Sequence, residues 1–327
     1  MSWTLTHVRR EGGEVDLSAM CASIRWSGDV QQAARKLVVE LVNTADGRGR
    51  LAQIDKGGEL RLAGESGGEL FRGVVFADSI DSGGRMSVTA YDENIYLAKN
   101  KDSRLFRSMT ADGIIRQLCS EFGVSVGKLA STGFVIPKLI QRDKTLYEMM
   151  AKALEMTEEQ NGRRFSIGSR EGRLELRERA HESVSCRIEA GRNLLSASYS
   201  QSMEEMKTQV KVMGLDPQRK EQSVIVRSAE LSDQFGVMQH FVKPNAAMSR
   251  SMMQQQADEL LRQKATFADE ARIEALGIEE AVSGAVVEVE ERLSGIVGRY
   301  AITADEHSYE SGAHRMSLSL SAMEEAD

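Results

Sequence analysis

Five histidines are the first candidates for chemistry: His7, His181, His240, His307 and His314. Two imidazoles beside a carboxylate can bind zinc or pass a proton. His307 and His314 flank a polar turn across which they could meet, with Asp305 and Glu306 alongside. No HExxH or comparably dense metal pattern accompanies them, and a charge-rich loop ordinarily faces water. Cys21, Cys119 and Cys186 are far apart and odd in number, which fits neither a disulfide framework nor a zinc site. Cys119 borders an apolar helical stripe and has no activating histidine nearby, so it reads as core. The pairs Gly12-Gly13, Gly57-Gly58, Gly67-Gly68 and Gly83-Gly84 lie beside β-like runs. None forms GxGxxG, and they read as turns. No GxSxG occurs, and no two of the many carboxylates are singled out as a sugar-cleaving pair. The residues therefore point to no catalytic, cofactor or metal site, and to a protein that is not an enzyme.

Composition narrows the partners. The 327 residues carry a net charge of -7, which gives no support to general nucleic-acid binding. Arg9, Arg10, Arg35, Lys36, Arg48 and Arg50 scatter through the start, and Arg163, Arg164, Arg170, Arg173, Arg177 and Arg179 through the middle. Interleaved Asp and Glu make these a structural or interface feature. No stretch approaches the ~20 apolar residues of a membrane span, and the first residues lack an apolar leader core. Neither stable nucleic-acid nor membrane binding is expected. Unpaired cysteines fit assembly in a reducing cytoplasm.

The elements that must position these residues are mainly strands. Lys36 to Val42 alternates, with Leu37, Val39 and Leu41 on one side and Val38 and Val42 on the other. Glu69 to Ala77 puts Phe71, Val75 and Ala77 on one face and Val74 and Phe76 on the other. Outward Val38 and Phe76 would need a cover, and a neighbouring subunit can supply one. Short strands with Gly-rich turns suggest a small barrel or sandwich. In the middle, Thr110 with Asp112 opens a helix, and Thr145 with Glu148 has capping-box spacing for a second. A hairpin around Ser169 to Gly172 completes an α+β unit. Met248 to Ala275 reads as a polar helix. Ile296 to Ala304 and Met316 to Leu320 read as strands joined by polar, turn-prone residues. Arg-Met-Ser recurs at Arg85 and Arg315, each time after a Gly-containing strand and a turn. The echo suggests two related β domains. The expected division is 1–102, a first β-barrel-like domain; 103–185, an α+β domain; and 186–327, a second β-barrel-like domain with an inserted helix near 248–275.

Several stretches then resemble the XkdQ/YqbQ-type tail proteins of phages and phage-like contractile particles. They are AYDENIYLAKNKD (90–102), TADGIIRQLCSEFGV (110–124), IQRDKTLYEMMAKAL (140–154), NLLSASYSQSMEEMKTQVKV (193–212) and GRYAITADEHSYESGAHRMSLSL (298–320), in family order. The resemblance is to baseplate hubs, broadly similar to the phage late-control D protein. It implies a mainly β fold with an α+β insertion and two related β-barrel-like domains. It implies a homotrimeric ring that joins a sixfold tail tube to a threefold central spike. Partners would be further copies of the chain, the tail-tube protein, the central spike, other baseplate proteins and the tape-measure protein. Assembly would take place in the bacterial cytoplasm, and the mature site would be the tail baseplate. A tail-tube initiator or other tail structural component, and a cell-wall-degrading tail enzyme, are the alternatives. The resemblance supplies no catalytic residue. Asp92, Tyr96 and Asn100 match its junction pattern, and His307 with Gly312 to Met316 its terminal hairpin. With Val38, Phe76 and His314, these are the expected fold or interface positions.

Overall fold

The computed structural model describes residues 3–65, 67–178, 184–244 and 246–323. Arg179 and His181 lie outside the described residues. The first layer contains β1 (Thr4–Val8), β2 (Glu14–Asp16), β3 (Cys21–Asp29), β4 (Lys36–Val42), β5 (Glu59–Ala63), β6 (Glu69–Ile80) and β7 (Arg85–Tyr91). Period-two alternation sets its inner face. Leu37, Val39 and Leu41 of β4 stand opposite Ala90, Val88 and Met86 of β7, and all six are buried. Ile24, Trp26, Leu60, Leu62 and Phe71 complete that core. Gly73 interrupts β6 because a Cβ there would lie 2.3 Å from the Tyr91 carbonyl oxygen. The register of β6 on β7 slips between Val75 and Ala77. Alternation keeps Phe76 outward, and the slip leaves Ala77 exposed, not on the inner face with Phe71 and Val75.

A short helix, α1 (Ile95–Lys99), leads into β8 (Lys101–Thr110), α2 (Ala111–Glu121), β9 (Val126–Leu129), β10 (Val135–Thr145), α3 (Leu146–Asn161), β11 (Phe165–Arg170) and β12 (Arg173–Glu178). The Thr110 hydroxyl accepts from Gly113 N–H and caps α2. Thr145 and Glu148 form the reciprocal capping box of α3, and Gly162 ends it at φ 70°. Ile114, Ile115, Leu118, Cys119, Leu146, Met149, Met150 and Ala153 fill one core against Phe106, Ile136 and Leu139. Burial pushes the Cys119 thiol up to about 11, away from nucleophilic use.

The chain continues through β13 (Val184–Glu189) and β14 (Leu194–Ser202) into β15 (Gln209–Leu215), β16 (Glu221–Arg227), α4 (Ala229–Phe235), β17 (Gln239–Val242) and α5 (Arg250–Lys264). It returns along β18 (Ala268–Leu276) to β19 (Val286–Glu291), β20 (Ile296–Glu310) and β21 (Ala313–Ala322). Residues Ser198–Ala271 form one compact unit, and the residues on either side of it form the other. In the smaller unit, Met253 and Ala257 of α5 pack on Val210, Val212 and Val224. Helical structure stops at Lys264. From Ala268 the pattern is period two, with Ala271, Ile273 and Ala275 buried and Glu270, Arg272 and Glu274 exposed.

The expectation of two related β-barrel-like domains is overturned. The terminal regions share one open 13-stranded sheet, ordered β14-β18-β21-β20-β3-β4-β7-β6-β5-β1-β2 with β13 and β19 branching from β20. A barrel needs its first and last strands to pair, and β2 and β14 end this path unpaired with one another. The fold is mixed α/β with dominant β content, and no sheet among the described residues closes into a barrel. The physical reason lies in β20. Its first part pairs with β19, and Ala304–Glu310 pairs with β3 in antiparallel register. Each β layer therefore uses the other to cover an edge it would otherwise have to close. The residues between Ala304 and Met316 are strand almost throughout, interrupted by the Ser311-Gly312 turn.

Candidate functional site

The β3–β20 seam gathers the buried polar residues. Trp26 stands opposite His307 and Gly28 opposite Asp305, because alternate β20 residues face the first core. Asp305, His307 and Tyr309 are all buried, while Glu306 between them is exposed. The Asp305 carboxylate accepts from Arg35 Nη1 at 3.0 Å, Arg35 Nη2 at 2.5 Å and Ser283 N–H at 2.6 Å. The Arg35 guanidinium also lies over the Trp26 ring, 4.5 Å from its centroid. His307 Nδ1 is 3.1 Å from His314 Nε2, and His307 Nε2 is 3.0 Å from the Ala281 carbonyl oxygen. His314 stacks on Tyr309 at 4.0 Å, and the Tyr309 hydroxyl donates to Glu279 at 3.4 Å.

This knot holds chain segments together. The Ala281 carbonyl needs a donor, so His307 Nε2 carries its proton there and Nδ1 accepts from His314. Burial pushes His307 below its ordinary value, against the pull of Asp305. Burial, and then the neighbouring His307, push His314 down to about 4. Both imidazoles are neutral at pH 7, one stacked and one hydrogen-bonded on both sides. Among the described residues, no group of three or more His, Cys, Asp or Glu side chains has metal-binding geometry.

A second constellation begins at Asp92. Its Oδ2 accepts from Arg35 N–H at 3.1 Å and its Oδ1 from Asn94 N–H at 3.1 Å. Burial drives this carboxyl up to about 7. It borders a cleft of about 350 Å³ also lined by Asn94, Tyr147 and Phe165. A raised carboxyl in a cleft can mark a general acid, yet both oxygens here are engaged by backbone N–H groups. Asp92 thus ties the β4 approach to the turn before α1. Next to it, the Ser169 hydroxyl donates to Glu93 and fastens β11 to the same turn.

On the outer surface, Phe76 meets Tyr91 edge-on at 5.6 Å and Tyr96 at 5.9 Å. Phe76 is 38% exposed and Tyr96 39%. Val38 is half-buried on the outer side of β4, beside Arg25 and Thr89. Asn100 donates from Nδ2 to the Tyr96 carbonyl at 2.8 Å and closes α1. The structure therefore groups Phe76 with Tyr96 and His307 with His314. It sets Asp92 and Asn100 at the two ends of the α1 segment. Arg35 emerges as the link between the knot and Asp92, a role its place among scattered basic residues did not reveal. Its partner Asp305 is 270 residues away, and no local pattern joins them.

A family model described as YQBQ-like matches residues 24–321. The phage-like element PBSX protein XkdQ of Bacillus subtilis is 31% identical over 306 residues, covering 93% of each chain. Among solved structures, the prophage MuSo2 43 kDa tail protein from Shewanella oneidensis aligns over 98% of this chain and 97% of its own, with a TM-score of 0.71 at 14% identity. An E. coli component of the type VI secretion system, described as structurally similar to T4 tail proteins gp27 and gp5, aligns over 94% of this chain and 74% of its own. Its TM-score is 0.56 at 10% identity. The chain thus shares the fold of the Shewanella prophage tail protein, and with the family model and the Bacillus relative both matched along nearly the whole sequence, it belongs to the YQBQ-like family.

Proposed function

We propose that this chain is the baseplate hub, a closed homotrimeric ring that joins the sixfold tail tube to the threefold central spike. The observation that carries the reading is the exposed Phe76–Tyr96 pair with half-buried Val38 on a sheet whose inner face is already filled. Large side chains held outward in a packed aromatic group suit an interface, and a neighbouring copy would cover them. The fold shared with the E. coli secretion component supports the same placement, since that protein is likened to gp27 and gp5. In this role Asp92, Asn100, His307 and His314 keep the seam rigid, while Val38, Phe76 and Tyr96 meet the adjacent subunit. Assembly takes place in the bacterial cytoplasm, with the tube protein, spike, other baseplate proteins and tape-measure protein as partners. Reconstruction of an intact particle tests this directly. Three copies between tube and spike are expected; two, six or scattered copies would sink the hub reading.

A further inference from the structure

The β8–β10 ribbon is a two-stranded sheet with one face filled and the other open. Phe106, Ile136 and Leu139 point inward and are at most 5% exposed. On the other face Leu105 and Ile140 are direct cross-strand partners and are 49% and 50% exposed. Arg107 and Lys138 form the neighbouring cross-strand pair on that face. Two like charges directly opposite repel within the ribbon. Placing them beside an exposed apolar pair gives a partner an apolar centre with a charged rim.

The charge of the ribbon is opposite to that of the chain. Residues 101–110 and 135–145 hold six basic and two acidic residues, a net +4, so everything outside them sums to -11 in a chain of -7. Arg104 and Lys144 are paired within the chain, to Asp102 with Glu121 and to Glu148. Lys101, Arg107, Lys138 and Arg142 make no ion pair with a described residue. The acidic excess lies toward the C-terminus, where residues 272–323 hold nine acidic and four basic residues. Glu274, Glu280, Glu306 and Glu310 of that segment are exposed.

We infer that the ribbon is one half of a head-to-tail contact between copies of this chain, seated on the acidic 272–323 segment of the next copy. Charge complementarity selects the second copy, which carries the matching excess. The ribbon starts at Lys101, directly after Asn100, so the chain runs from α1 straight into it. Two different patches in one contact make the interface heterologous, and such contacts close into rings when the rotation permits. The inference rests on the ring reading above and names the surfaces that form it.

The test places a photo-crosslinking benzoylphenylalanine at position 140 of the full chain, with native mass spectrometry of the same sample. Intact particles are used if free copies do not associate. Crosslinked dimers and trimers are expected, with the adduct in residues 272–323. Arg107→Glu with Lys138→Glu should weaken self-association by about tenfold or more, with an unchanged melting curve. Salt raised well above physiological strength should weaken the unmodified contact in the same direction. Three copies with the position-140 adduct on another tail protein, on nucleic acid or elsewhere on this chain overturn this inference and leave the ring standing. Any other copy number overturns both. Unchanged association of the charge-reversed chain, with its fold intact, overturns the ribbon contact alone.

Discussion

Arg35→Met is the sharpest probe of the seam. It keeps an aliphatic stem over Trp26 and removes the guanidinium from Asp305, whose side chain is fully buried. Breaking a buried pair by deleting one partner costs about 3–5 kcal/mol. Two features set the value near the lower end. Ser283 N–H still donates to Asp305 at 2.6 Å. His307 Nε2–H also lies 3.6 Å from Asp305 Oδ2 and leaves a polar group beside the carboxylate. A loss of about 3 kcal/mol is expected at pH 7.5. Urea unfolding followed by tryptophan fluorescence is the assay, because Trp26 lies under Arg35 and Trp3 is the only other tryptophan. Arg35→Met with Asp305→Leu removes both charges and should recover stability to within about 1 kcal/mol of the parent. A single-variant loss under about 1 kcal/mol, or a double variant no better than the single, would refute the view that the pair holds the seam.

Other outcomes follow from the same geometry. His314 is neutral in the folded chain down to about pH 4, so between its ordinary 6.5 and that value the unfolded chain binds the extra proton. Stability should therefore fall as pH drops through this window, and His314→Phe should flatten that limb of a melting-temperature profile. Asp92 acts with the opposite sign: its carboxyl, pushed up from 3.8 to about 7, keeps a proton that the unfolded chain has lost. Its contribution declines as pH rises between those values, and Asp92→Asn should remove that decline. Val38→Asp or Phe76→Asp should reduce incorporation into particles, with melting of the isolated chain changed by less than about 1 kcal/mol, as read by reconstruction and calorimetry. Thr145→Ala removes the α3 cap and should cost about 1 kcal/mol in urea unfolding. Zymography should show no peptidoglycan cleavage, and cleavage abolished by Asp92→Asn would return the chain to the tail enzymes.

Local chemistry was readable in the sequence, and long-range pairing was not. The caps at Thr110 and Thr145 were visible because cap and helix lie within four residues. The inner face of β4 was visible because alternation declares it. Asp305 to Tyr309 were read as turn-prone because they are polar, yet both their edges are paired, with β21 on one side and β3 on the other. A strand bonded on two edges tolerates polar side chains when their partners wait in the core, and Arg35 is such a partner. The barrel expectation failed for the same reason. Short strands and Gly turns specify hairpins, but whether a sheet closes or joins another depends on pairs hundreds of residues apart. The Phe76–Tyr96 contact lay between these cases: alternation put Phe76 outward and both residues were singled out, but no local pattern joins them, and the slip that exposes Ala77 has no signature in the alternation.

The shared strand β20 has a consequence for how the chain is made. The partner that completes β3 lies at residues 304–310, so β3 keeps one bare edge until the residues of β20 have been synthesised. A nascent chain in that state offers an unpaired strand to any neighbour, and its native contacts are among the slowest kind to form. Final closure comes only when the C-terminal hairpin arrives and Asp305 meets Arg35 across 270 residues. A truncated product lacking that hairpin would expose the β3 edge and could not be completed from its own sequence. The β20–β21 hairpin is therefore the element on which the integrity of the β3 edge depends.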